Sequence, residues 1–282
     1  MAWKWFSKFL NTILVSGLLI TFFVGCSSFS QKKSFNTKEL EKRGDEYLAI
    51  GDRFRLQGRP DDALQYYRSA QNIYFKKWNP SKYTLSGMKE TTVLALQGNL
   101  ALAKERLDYF KDFAKNMAVT DMLEDIALSE AMLLYASDKN AEATTLLDSW
   151  SARGDVKLEK RQYMLFYRVW KTMELPKDTS IDDLMKQCRS IISRYYDGEL
   201  ENPEVALFAS LALAEFLEHE QRYEEAWALL NQVVDIHRDS EVIIQWQRIF
   251  PALSRVAEKL KKFDLAIFYQ KMYEEQLKVP LQ

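Results

Sequence analysis

One spacing constrains this chain more than anything else in it: a helix–turn–helix pattern that returns about every 40 residues. The first copy is "GDRFRLQGRPDDALQYYRSAQNIY", residues 51–74. One helical run ends near Gln57, Gly58 breaks it, and a second starts by Pro60, whose missing N–H costs nothing in a first helical turn. Ala63 falls where two such helices must approach closely, and Tyr67 and Ala70 continue its face at i+4 and i+7. "ALQGNLALAKERLDYF" then places Gly98 and Ala103 each 40 residues after Gly58 and Ala63. "YASDKNAEATTLLDSW" places Ala143 another 40 on, with Asp138 in place of the glycine. "HEQRYEEAWALLNQVV" supplies Tyr223, Ala226, Leu230 and Val233, and "KLKKFDLAIFYQKMY" supplies Phe263, Ala266 and Tyr273, again 40 later.

Between them lies a weaker fourth copy. Residues 161–174 predict an apolar-faced helix with Met164, Tyr167 and Trp170; "PKDTS" breaks it, and Ser180 to Tyr195 form its partner, with Asp183 at the position of the small alanine. Ser180-x-x-Asp183 suits a capping box, and Asn202-Pro203 an N-cap followed by proline at the first helical position. The expected fold is therefore all-α: an α-solenoid of about six helix pairs over residues 37–282. An irregular helical bundle is the competing arrangement. Composition agrees on the class. Nine glycines and six prolines among 282 residues are too few for the turns of an all-β fold. A net charge of −1 gives no general attraction to nucleic acid.

Residues 51–74 resemble the tetratricopeptide repeat: Gly51 and Phe54 match the small and aromatic positions of its first helix, and Ala63, Tyr67 and Ala70 the small, large and small positions of its second. That family's usual period is about 34 residues, so 40 implies longer helices or connections. The resemblance implies that the first helix of each pair lines a concave surface. Those helices carry Asp45, Asp52 and Arg55, then Leu85, Met88 and Thr92, then Leu128, Met132 and Tyr135, and finally Glu215, Glu218, Arg255 and Glu258. The expectation is a groove with an apolar middle and charged ends, suited to an amphipathic helix or extended peptide of a partner protein. The same Leu and Met residues also suit packing between repeats, and the sequence leaves groove and core open.

The start of the chain has a separate logic. Lys4 and Lys8 are its only charges before Cys26, and Phe9 to Val24 is uncharged, shorter than the ~20 residues a membrane-spanning helix needs. That is the build of a signal peptide, with an uncleaved anchor as the alternative. Phe23-Val24-Gly25-Cys26 resembles a bacterial lipobox, with Phe23 where Leu is commonest. The resemblance implies lipid attachment at Cys26, removal of residues 1–25 and a tether over residues 26–36. Loss of two lysines would take the net charge from −1 to −1 − 2 = −3. Ser27 after the cysteine implies an outer membrane, with the folded part facing the periplasm.

Catalytic patterns are sparse. His219 and His237 lack the spacing of a zinc site, and no glycine-rich phosphate loop or GxSxG occurs. Cys188 reads as a helix residue at least partly buried, with a reactive thiol as the minor alternative. The pairs Asp61-Asp62, Asp182-Asp183 and Glu224-Glu225 fall at helix starts, where they suit the positive end of the dipole. The expectation is a lipid-anchored, non-enzymatic scaffold with no cofactor or metal. Its partners would be cell-envelope proteins through the groove and the membrane through acylated Cys26. The alternative is a ligand- or lipid-handling module of this family associated with a periplasmic transport system.

Overall fold

The structure, a computed structural model, describes residues 37–200, 204–239 and 246–278. Cys26, the lipobox, the tether and Asn202-Pro203 lie outside the described residues. The chain divides into two units, Met1–Lys42 and Arg43–Gln282, and of the first only the opening of one helix is described.

Twelve helices and no strand make up the described residues. In order they are α1 (Thr37–Leu56), α2 (Pro60–Lys76), α3 (Pro80–Leu96), α4 (Leu100–Asn116), α5 (Leu123–Ala136) and α6 (Asn140–Ser151). Then follow α7 (Leu158–Thr172), α8 (Ile181–Tyr196), α9 (Glu204–His219), α10 (Tyr223–Asp239), α11 (Trp246–Lys259) and α12 (Phe263–Lys278). Packing is sequential. Neighbours such as α2 and α3 or α9 and α10 lie together, and alternate helices also touch: α3 on α5, α5 on α7, α7 on α9, α9 on α11.

The turns explain the regularity. Gly58, Gly98 and Asp138 all take positive φ, at 70°, 77° and 60°. The residue after each donates its N–H back across the helix end, Arg59 to Phe54, Asn99 to Leu94 and Lys139 to Leu134, each at 2.9 Å. This Schellman geometry satisfies carbonyls that a helix terminus otherwise leaves open. It recurs at Gln221 and Lys261 before α10 and α12, so a side chain replaces glycine there without changing the turn. The connection from α7 to α8 differs: Met173 and Asp178 both take positive φ, and the Arg168 guanidinium donates to the Glu174 carbonyl at 3.0 Å.

The fourth residue of every even-numbered helix faces the core. It is Ala63, Ala103, Ala143, Ala226 and Ala266 in five of them, all buried. In α8 it is Leu184, which is fully buried, and not Asp183. The register expected for the fourth copy was one residue early, because Asp183 serves the helix start: its backbone N–H donates to Ser180 Oγ and its carboxylate accepts from the Ser180 N–H, each at 3.1 Å. Small residues on odd helices do the complementary work. A Cβ on Gly51 would lie 2.6 Å from the ring of Tyr67, so this position admits only glycine at the present separation of α1 and α2. The core is a run of clusters, one over α1–α5, one over α5–α7 and one over α7–α11. The last helix, α12, leaves Phe263, Ile267 and Phe268 exposed.

Candidate functional site

The odd-numbered helices are tied to one another by polar rungs. Lys82 Nζ lies 2.8 Å from Asp45, and Lys89 Nζ 2.7 Å from Asp52, joining α3 to α1. The hydroxyls of Thr92 and Ser129 join α3 to α5 at 3.1 Å, and Ser129 also donates to the Met88 carbonyl. Lys160 pairs with Asp125 between α7 and α5. Arg248 meets Glu215 at 3.0 Å and Arg255 meets Glu218 at 2.8 Å between α11 and α9. Most rungs join residues 37 apart, one helical turn short of the 40-residue spacing of the turns.

A depression of about 370 Å³ opens along this face. Leu85, Met88, Leu128 and Met132 form its apolar part, with Met122, Tyr163 and Val205 beside them, and Thr92 and Ser129 add hydroxyls. Five of the six expected groove residues, Leu85, Met88, Thr92, Leu128 and Met132, thus meet in one place. They are not equally available. Met88 and Met132 are only 1% and 6% exposed and belong to the core clusters, whereas Leu85, Thr92 and Leu128 are partly exposed. Tyr135 is buried elsewhere: its hydroxyl shares a 3.1 Å hydrogen bond with Thr144 of α6, and its ring packs on Tyr167.

The expected charge pattern needs correction. The middle of this face is not purely apolar, because Lys89, Asp125, Glu159 and Lys160 also line it. The charges expected at its ends, Asp45, Asp52, Glu215, Glu218 and Arg255 among them, are engaged in rungs. Burial alone would push the Asp52 carboxyl up; Lys89, Arg55 and the Tyr67 hydroxyl outweigh it and hold the pKa below the usual carboxylate value. Opposite charges 37 residues apart are a signal that could have found these rungs, as in Asp45/Lys82 and Asp52/Lys89.

A second polar cluster was missed by sequence reasoning. Glu90 of α3, 1% exposed, accepts from Arg68 Nε at 2.8 Å, Gln71 Nε2 at 2.8 Å and Arg106 Nη2 at 2.7 Å. It joins α2, α3 and α4. Burial would push its carboxyl up, but the hydrogen bonds of Gln71, Arg106 and Arg68 and the charge of Arg106 leave the pKa below the ordinary value.

The remaining chemistry-bearing residues stand apart from this face. Cys188 is fully buried, its Sγ 3.7 Å from Ser210 Oγ, and burial pushes the thiol up to about 11, so it stays protonated near neutrality. His219 ends α9, exposed beside Glu220; His237 lies in α10, with its side chain outside those described. The pairs Asp61-Asp62, Asp182-Asp183 and Glu224-Glu225 sit in the first turns of α2, α8 and α10. Among the described residues no group of three or more His, Cys, Asp or Glu side chains is placed to hold a metal ion, and no helix is long and apolar enough to cross a membrane. Comparison with family models and with curated proteins finds no match.

Proposed function

We propose that this chain is a lipid-anchored scaffold of the bacterial cell envelope, built as a tetratricopeptide-like solenoid, that binds partner proteins through the face formed by its odd-numbered helices. In this reading residues 1–25 are a signal peptide, Cys26 carries the lipid, and residues 37–282 form six helix pairs facing the periplasm. The observation that carries it is the depression over α3, α5 and α7, where partly exposed Leu85 and Leu128 lie between paired charges. An apolar strip with a charged rim suits one face of a partner's helix or an extended peptide. The reading assigns no catalytic role, since the carboxylates of the rungs are occupied by cations of neighbouring helices.

The test separates contact from packing. A photoreactive residue in place of Leu128 is expected to capture one dominant envelope protein in cells, and Leu85→Glu to abolish that adduct. Leu128→Glu should leave the melting temperature nearly unchanged, whereas Met132→Glu, which buries a charge, should lower it by roughly 5 °C or more. Capture of no protein, or loss of melting temperature in both variants, would defeat the scaffold reading.

One observation favours a second reading, a ligand- or lipid-handling module serving a periplasmic transport system. The volume of the depression falls within the roughly 300–1,000 Å³ of small-ligand sites. A small-molecule adduct at Leu128 in place of a protein would select it. The anchor is checked separately: Cys26→Ala is expected to accumulate as an unprocessed, unacylated precursor, and normal maturation of that variant would refute lipid attachment.

A further inference from the structure

The turn between α2 and α3 carries "YFKKWNP", residues 74–80, and its side chains are unusual for a tight turn. Trp78 takes φ 55°, in a left-handed turn where Gly58 and Gly98 serve elsewhere. A residue with a Cβ is disfavoured there. Its indole is nevertheless 69% exposed, and Phe75, one turn back on α2, is 56% exposed. The two rim a shallow crevice with Tyr83, Phe113 and Met117. Phe75 and Phe113 both pack on Tyr83, with ring centres 5.6 and 4.9 Å away. The patch thus spans the ends of α2, α3 and α4.

Lys76 and Lys77 sit between Phe75 and Trp78, and neither forms an ion pair among the described residues. The neighbouring carboxylates are already engaged: Asp45 accepts from Lys82 and from the Tyr74 hydroxyl, and Asp121 accepts from Ser81. The tip therefore presents aromatic surface with uncompensated positive charge. Lysine is depleted from protein–protein interfaces, whereas aromatic residues beside lysine are enriched where proteins meet lipid headgroups. The position of the tip agrees. Gly44 and Asp45, where the chain enters this unit, lie against Tyr74 and Lys82, so chain entry and aromatic tip share one end. The stretch from Cys26 to the start of α1 at Thr37 spans at most about 40 Å when extended.

We propose that this tip contacts an anionic phospholipid bilayer, with Trp78 and Phe75 in the headgroup region and Lys76 and Lys77 against the lipid phosphates. The proposal is independent of the groove and rests on the anchor reading only for which bilayer is met. It is tested with the full chain reconstituted in vesicles containing a phospholipid with a photoreactive acyl chain. The composition is either phosphatidylethanolamine with phosphatidylglycerol or phosphatidylcholine alone, and adducts are mapped by mass spectrometry. Labelling at residues 75–83 is expected in the anionic vesicles, falling several-fold in phosphatidylcholine and in the Lys76→Glu/Lys77→Glu variant. Trp78→Gly, which relieves the backbone, should melt no lower than the parent and yet lose the label. Labelling of residues 9–24 with none at 75–83, or equal labelling in both compositions, overturns the proposal. So does a photoreactive residue at position 78 that captures protein and not lipid in cells. Cys26→Ser is expected to retain the label at 75–83, so failure of the anchor reading and failure of this one are separable.

Discussion

Gly87→Ala is expected to lower the stability of this chain by about 1–3 kcal/mol, although alanine is the better helix former by about 1 kcal/mol. Position 87 lies inside α3, where propensity alone predicts a gain. A Cβ built there would lie 2.1 Å from Cε2 and 2.2 Å from Cζ of Phe110. That ring cannot retreat easily. Phe110 is fully buried, packs against Tyr83 and Tyr109, and has the Arg106 guanidinium 5.4 Å from its centre. The added methyl must push α3 from α4 or force the ring off its rotamer, and either opens the core cluster around it. Thermal melting reads the sign, with roughly 2–4 °C expected per kcal/mol in a chain of this size. Phe110→Leu should be harmful alone and less harmful beside Gly87→Ala, a coupling that a double-mutant cycle detects. A melting temperature raised by Gly87→Ala would mean that α3 and α4 can separate enough to admit the methyl at no cost.

Arg106→Met is expected to cost about 3–5 kcal/mol at pH 7, and the cost should shrink in acid. The substitution keeps an unbranched apolar side chain and removes one of the two guanidiniums at Glu90. In the parent, the folded-state pKa of Glu90 lies below its ordinary value, so the carboxylate contributes stability above the unfolded pKa near 4.3. That contribution is lost as pH falls through the folded value. Without Arg106 the opposing effect of burial gains weight, and Glu90 takes up a proton at higher pH. The gap between variant and parent should therefore be widest near neutrality and narrow toward pH 4. Melting curves of both proteins between pH 4 and 8 decide it; a gap independent of pH would assign the loss to packing and not to charge.

These two sites also show what a sequence of this kind discloses. Ala63, Ala103, Ala143, Ala226 and Ala266 were legible because close helix approach admits only small side chains, and glycine or aspartate at the first three of those turns repeated the same interval. Asp183 was set at the core position that Leu184 holds, because a capping residue stood where an alanine was sought. Leu85, Met88, Thr92, Leu128 and Met132 were found together because helical periodicity identifies a face. Periodicity does not identify how deeply a neighbour covers that face, so buried Met88 and Met132 were indistinguishable from open Leu128. Tyr135 escaped for a related reason: it lies at the end of α5, where α6 turns back over it. Glu90 and the rungs went unread because a lysine, arginine or carboxylate in a helix reads as solvated until its partner from another helix is known, and the shared offset of Asp45/Lys82 and Asp52/Lys89 gains meaning only then.

The rungs have a mechanical consequence. Each joins one odd helix to the next, so a pull along the stack is borne joint by joint and compliance adds along its length. The joints differ in their shielding from water: Lys82–Asp45 is partly open and Arg255 is half exposed, whereas Asp125 and Glu215 are well covered. Dissolved ions weaken exposed pairs first. Rising salt should therefore loosen Lys82–Asp45 and Arg255–Glu218 before Lys160–Asp125 and Arg248–Glu215, making the stack a spring that slackens first where α1 meets α3 and keeps one tight coupling between α9 and α11.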